Sequence, residues 1–138
     1  MAKIKSYTDI EQSKKLAEFL PLESADMQWF LEEDYGIVQI KDELQDWGGD
    51  CNVPCWSLAA LLDDLPNEII TDNRFECHYQ IHVRKYDGGD NITLYQIAYG
   101  NDRGSSGSWH DMINTGEKES LIDACVAMIE QLHELKML

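Results

Sequence analysis

Phe75, Cys77, Tyr79, Ile81 and Val83 alternate without a break with Glu76, His78, Gln80, His82 and Arg84. Successive side chains of a strand point to opposite faces, so this period of two predicts a strand with one apolar and one polar side. Turn residues Asp87-Gly88-Gly89-Asp90 follow, and Asn91–Tyr99 is the expected partner strand of a hairpin. The Gly/Ser-rich stretch Gly100–Ser108 reads as a loop leading to a short edge strand at Trp109-His110-Asp111-Met112-Ile113. Earlier, Met27, Trp29 and Leu31 alternate with Gln28 and Glu32, a strand pattern weakened by Phe30 on the second face. The polar run 32–36 then turns the chain back into Ile37-Val38-Gln39-Ile40, a second hairpin.

Between and around these hairpins the period changes to that of a helix. Thr8-Asp9-Ile10-Glu11 matches a capping box with Thr8 as N-cap, and Ile10, Leu16, Phe19 and Leu20 predict a first helix over Asp9–Leu20, stopped by Pro21. The polar segment Asp42–Asn52 reads as a loop, after which Pro54 suits a first helical position. Trp56, Leu58, Ala59, Leu61, Leu62 and Leu65 predict a second helix ended by Pro66, apolar nearly all round and therefore expected to be the most buried element. Leu121, Ile122, Cys125, Met128, Ile129, Leu132 and Leu135 fall on one stripe of a third helix, expected from about Lys118 to the C-terminus. The expected order is α-β-β-α-β-β-(β)-α, an α+β fold with an antiparallel sheet of two hairpins and helices on one face. A chain of 138 residues fits one domain with a core of its own, and no strand–helix–strand unit carries a glycine fingerprint.

Charge adds to this picture what hydropathy cannot. The net charge is −15, and residues 23–76 carry −12 of it, with fourteen acids against Lys41 and Arg74. Such a field repels nucleic acid and anionic membranes and attracts basic proteins, so the charge serves either solubility alone or a basic protein partner, with no direct nucleic-acid or membrane binding. The longest nearly apolar stretch, Cys55–Leu62, is far short of the roughly 20 residues that span a bilayer. Thr8-Asp9-Ile10-Glu11-Gln12 stands where a signal peptide needs an apolar region, so the cytosol is the expected location and Cys51, Cys55, Cys77 and Cys125 are expected to be reduced.

Few residues combine into chemistry. Cys51-x3-Cys55 and His78-x3-His82 superficially resemble a zinc site. Two histidines four residues apart on one strand lie roughly 13 Å apart, whereas zinc holds ligands near about 2 Å. No metal or other cofactor is therefore expected, and Cys77 and Cys125 read as small core residues. Ser108, His110 and Asp111 contain the residue types of nucleophilic catalysis, but adjacent His and Asp side chains diverge in a strand. Gly100–Ser108 lacks a phosphate-loop pattern, and the acidic runs lack the spacing of a calcium loop. Glu32, Glu33, Asp34, Asp42, Glu43 and Asp46 are the candidate contacts for a basic partner. Trp47, beside Gly48-Gly49, is either folded onto the core or an exposed contact residue.

Val53-Pro54-Cys55-Trp56-Ser57-Leu58-Ala59-Ala60-Leu61-Leu62 with Leu65-Pro66, Ser120–Cys125 and the opening Ser6–Gln12 resemble uncharacterised small acidic proteins of gut Bacteroidetes and of their phages and mobile elements. The shared P-x-W-S-L-x-A-L-L segment consists of core and capping positions, so the resemblance implies a fold and brings no catalytic residue with it. Two functions follow as expectations. The first is a non-enzymatic acidic interaction domain, imitating nucleic acid toward a basic protein; the alternative is a small enzyme or ligand-binding domain using Ser108, His110 and Asp111.

Overall fold

A computed structural model describes residues 4–31, 36–40, 52–72, 76–103 and 108–138. Among them the α+β class and the antiparallel hairpins are as expected, but the strands belong to two sheets and number seven. The described residues fall into two compact units, Ile4–Asp64 and Leu65–Leu138.

In the N-terminal unit α1 spans Ile10–Leu16, β1 Met27–Leu31, β2 Gly36–Ile40, β3 Asn52–Cys55 and α2 Leu58–Asp64, with a single 3-10 turn at Leu22–Ser24. The sheet order is β2-β1-β3, all antiparallel. The capping box of α1 exists one residue later than expected. Asp9 accepts from the Gln12 amide at 2.8 Å and Gln12 accepts from the Asp9 amide at 3.1 Å. Thr8 is drawn away from capping because it is fully buried, its amide donating to Trp56 O at 2.9 Å and its hydroxyl accepting from the Trp56 amide at 3.1 Å. The helix also ends at Leu16, short of Leu20, where bonds tighten to the three-residue spacing of Glu18 N to Lys15 O and Phe19 N to Leu16 O.

Val53-Pro54-Cys55 corrects a second expectation, since it forms β3 and starts no helix. Cys55 pairs with Met27 and Val53 with Trp29, which buries Val53 and Cys55. Pro54 stands on an edge strand, where a missing donor is tolerated. Trp56 precedes α2, and both Trp56 and Leu61 are fully buried, as their phase predicts. Yet α2 is not the most buried element: its Ala59 and Leu62 are exposed, because a helix of seven residues hides one stripe only.

In the C-terminal unit β4 spans Glu68–Asp72, β5 Glu76–Asp87, β6 Thr93–Arg103, β7 Ser108–Asn114 and α3 Leu121–Glu134. The sheet order β4-β5-β6-β7 follows the chain, and every pair is antiparallel. Two features depart from the sequence reading. Glu68-Ile69-Ile70-Thr71-Asp72 is a strand, and β6 continues three residues beyond Gly100 into the stretch that reads as loop. Ser120 caps α3 by accepting from the Asp123 amide at 3.0 Å. The helix packs on β6 and buries Ile122, Ala124, Cys125, Val126, Met128, Ile129 and Leu132, the largest block of core in the unit. Ile69, Tyr79, Ile97 and Tyr99 are buried on the inner face of the sheet, where Tyr99 donates to Pro66 O at 2.6 Å. Burial pushes the Tyr99 phenol far above its usual range.

Candidate functional site on the open face of the C-terminal sheet

The polar half of the β5 alternation places His78, Gln80, His82, Arg84 and Tyr86 on the other face of this sheet. Pairing brings Gln96, Ala98 and Gly100 of β6 and Trp109, Asp111 and Asn114 of β7 to the same side. No helix is needed to explain its pattern, because polar side chains here are exposed or half-buried. Ala98 and Gly100 make the middle strand low. A Cβ on Gly100 would stand 2.8 Å from Trp109 Nε1, so only glycine lets the indole lie across that position.

Over this floor the side chains form one lattice. Arg84 donates through both terminal nitrogens to Asp111, at 2.9 Å to Oδ2 and 2.6 Å to Oδ1. Asp111 also accepts from Trp109 Nε1 at 2.7 Å and Asn114 Nδ2 at 2.8 Å. Asn114 accepts from Gln96 at 2.6 Å, and Gln96 accepts from the Tyr86 hydroxyl at 2.7 Å and from Arg84 at 3.3 Å. The Trp109 indole stacks on His82 with centroids 3.6 Å apart and planes 10° apart. The Arg84 guanidinium, then the Asn114 and Trp109 donors, hold the Asp111 carboxyl well below the usual carboxylate range, against a smaller opposing effect of desolvation. A register shift beside Tyr99 and Gly100 inserts Met112 as an extra residue, so that Asp111 and Asn114, three apart, share a face.

Toward β4 the same face becomes acidic. His78 lies between two carboxylates, with Nδ1 3.3 Å from Glu68 Oε2 and Nε2 3.3 Å from Glu76 Oε1. Glu68 is paired with Gln80, Ile70 with His78 and Asp72 with Glu76.

The catalytic candidates are not assembled. Ser108, His110 and Asp111 all stand on β7, but Asp111 faces the lattice while His110, its neighbour, has the opposite phase and pairs with Asn101. A shallow concavity of about 460 Å³ at the β5–β6 turn is lined by Lys85, Tyr86, Asp87, Asn91, Ile92 and Thr93, and includes none of the three. The binding candidates Glu32, Glu33, Asp34, Asp42, Glu43, Asp46 and Trp47 lie outside the described residues, as does Cys51. His78 and His82 share β5, each engaged elsewhere, and among the described residues no three His, Cys, Asp or Glu side chains are grouped to hold a metal. Cys125 is buried and its thiol is pushed up to about 12 by burial; Cys55 is buried and raised for the same reason, and Cys77 is half-buried. No described helix is long and apolar enough to cross a membrane.

Sequence reasoning missed Arg84, Gln96 and Asn114 as partners of Asp111, and His82 as the partner of Trp109. The available signal was the polar half of β5, which holds an arginine, a tyrosine and two histidines. No family model, no curated protein and no solved structure matches this chain.

Proposed function

We propose that this chain is a non-enzymatic interaction domain whose acidic surface binds a basic partner protein. The observation that carries this reading is the placement of the charge: among the described residues every aspartate and glutamate is exposed or half-buried, Asp64 alone among them hiding a carboxylate oxygen without a partner. The described carboxylates therefore act outward as a field, and such a field raises the on-rate of a basic partner about 10- to 1000-fold at low salt. Together with the mobile-element resemblance, this charge supports a refinement in which carboxylates imitate a phosphate backbone toward a nucleic-acid-binding protein. A small enzyme acting through Ser108, His110 and Asp111 is less well supported, since the Asp111 carboxylate is committed to Arg84, Trp109 and Asn114.

The test is affinity capture of a basic protein from native lysate, followed by its association rate against salt concentration. The on-rate should fall steeply with ionic strength, and charge reversal at Glu32, Glu33 and Asp34 should slow it far more than it destabilises the fold. Duplex DNA should compete for the same partner if the refinement holds. A salt-independent on-rate, or an acidic partner, overturns the proposal.

A further inference from the structure

We infer that the basic partner adds an extended segment along the open edge of β4, with a basic–x–apolar–x–basic pattern set opposite Glu68, Ile70 and Asp72. This docking mode presupposes the basic partner proposed above and adds where, and in what conformation, it binds. Two independent features of β4 lead to it.

The first is the edge itself. β4 ends the order β4-β5-β6-β7, and among the described residues β5 is its only strand neighbour. Such an edge presents a row of backbone donors and acceptors, which an extended peptide satisfies by joining the sheet. The second is the pattern of side chains. Glu68, Ile70 and Asp72 point to the open face, all exposed, with Ile70 at 51%. A strand added beside β4 places its own alternate side chains about 5 Å from these three. Cation, apolar residue and cation is the sequence that complements carboxylate, isoleucine and carboxylate.

The same charges choose the occupant. A second copy pairing antiparallel through β4 would bring Glu68 opposite Asp72, and like charges directly opposite are destabilising. Glu76, paired across from Asp72 and 3.3 Å from His78, extends the acidic character one strand inward. An acidic edge thus rejects itself and nucleic acid while admitting a basic strand.

The probe is a labelled heptapeptide of threonines with lysine at positions 2 and 6 and valine at 4. Its controls are a scramble of the same composition with adjacent lysines, and a version with glutamate for lysine. Titration of the whole chain by fluorescence anisotropy at low salt should show the alternating peptide binding up to about fivefold more tightly than the scramble, whose adjacent lysines point to opposite faces and so keep only one of the two cross-strand charge pairs. Amide resonances of Glu68–Asp72 should move most. Glu68→Lys with Asp72→Lys should reverse the preference toward the glutamate peptide, a gain that misfolding cannot produce. Equal binding of alternating and scrambled lysine peptides overturns the edge while leaving the basic-partner reading intact. No preference for either lysine peptide over the glutamate peptide overturns both. A chain dimer that dissociates as the peptide binds would put a second copy on β4 and overturn the edge alone.

Discussion

The Thr8 cluster of the N-terminal unit and the Arg84–Asp111 lattice of the C-terminal unit use the same kinds of hydrogen bond in opposite surroundings. Thr8, Ser13 and Cys55 are each fully buried, with the two hydroxyls 2.7 Å apart, Cys55 Sγ 3.4 Å from Thr8 O, and the Trp56 amide on Thr8 Oγ1. Arg84 and Asp111 keep about a quarter of their side-chain surface, 24% and 26%. Water replaces a lost partner at the second place and not at the first. A buried cluster therefore acts on stability, while an exposed lattice acts on the shape and charge of a surface.

The largest effect should come from the apolar packing in the Thr8 unit. Leu61→Ala should lower unfolding free energy by about 2–5 kcal/mol, read by urea denaturation. A loss within error would mean that Leu61 does not belong to the core.

Thr8→Val keeps the shape and removes the hydroxyl, stranding the Trp56 amide in a dry site. The expected cost is about 1–3 kcal/mol. An effect below about 0.5 kcal/mol would erase the contrast with the open lattice.

In the lattice, Asp111→Asn should cost only about 1 kcal/mol or less, because a solvated ion pair is a weak source of stability. Its clearer signature is the pH profile. The Asp111 pKa is depressed by folding, so its contribution is present above pH about 4 and lost as pH falls further through the folded value. The variant should therefore lose less stability than the parent between about pH 4 and 2. Parallel acid denaturation curves would mean that Arg84 does not favour the carboxylate. Tryptophan emission should also shift in this variant, since Trp109 Nε1 loses an anionic acceptor.

The two regions also differ in how far they were legible. Trp56 and Leu61 are buried as their phase indicates, and α3 runs where its apolar stripe lies, because burial follows periodicities that a single sequence displays. β5, the longest clean alternation, is likewise a strand. The misreadings are local choices settled from a distance. Val53-Pro54-Cys55 looks like a helix start until β1 offers it backbone partners. Thr8 looks like a cap until Trp56 takes its hydroxyl. Gly100 looks like the beginning of a loop, whereas it is the low point of β6 beneath the Trp109 indole. The open-face lattice was hidden for the same reason: Arg84 and Asp111 are 27 residues apart, and no pattern in either segment names the other.

By itself the sequence determined the fold class, the two hairpins, the third helix and the acidic balance, since hydrophobic period, turn chemistry and formal charge are properties of neighbouring residues. Only the tertiary structure decided that the strands divide into two sheets, that Asp111 turns to Arg84 while His110 takes the opposite phase, and that β4 is an edge with Glu68, Ile70 and Asp72 on its open side. Those outcomes depend on strand order, register and a one-residue bulge. They are fixed by which backbones meet across the fold, where a shift of one position sends a side chain to the other face.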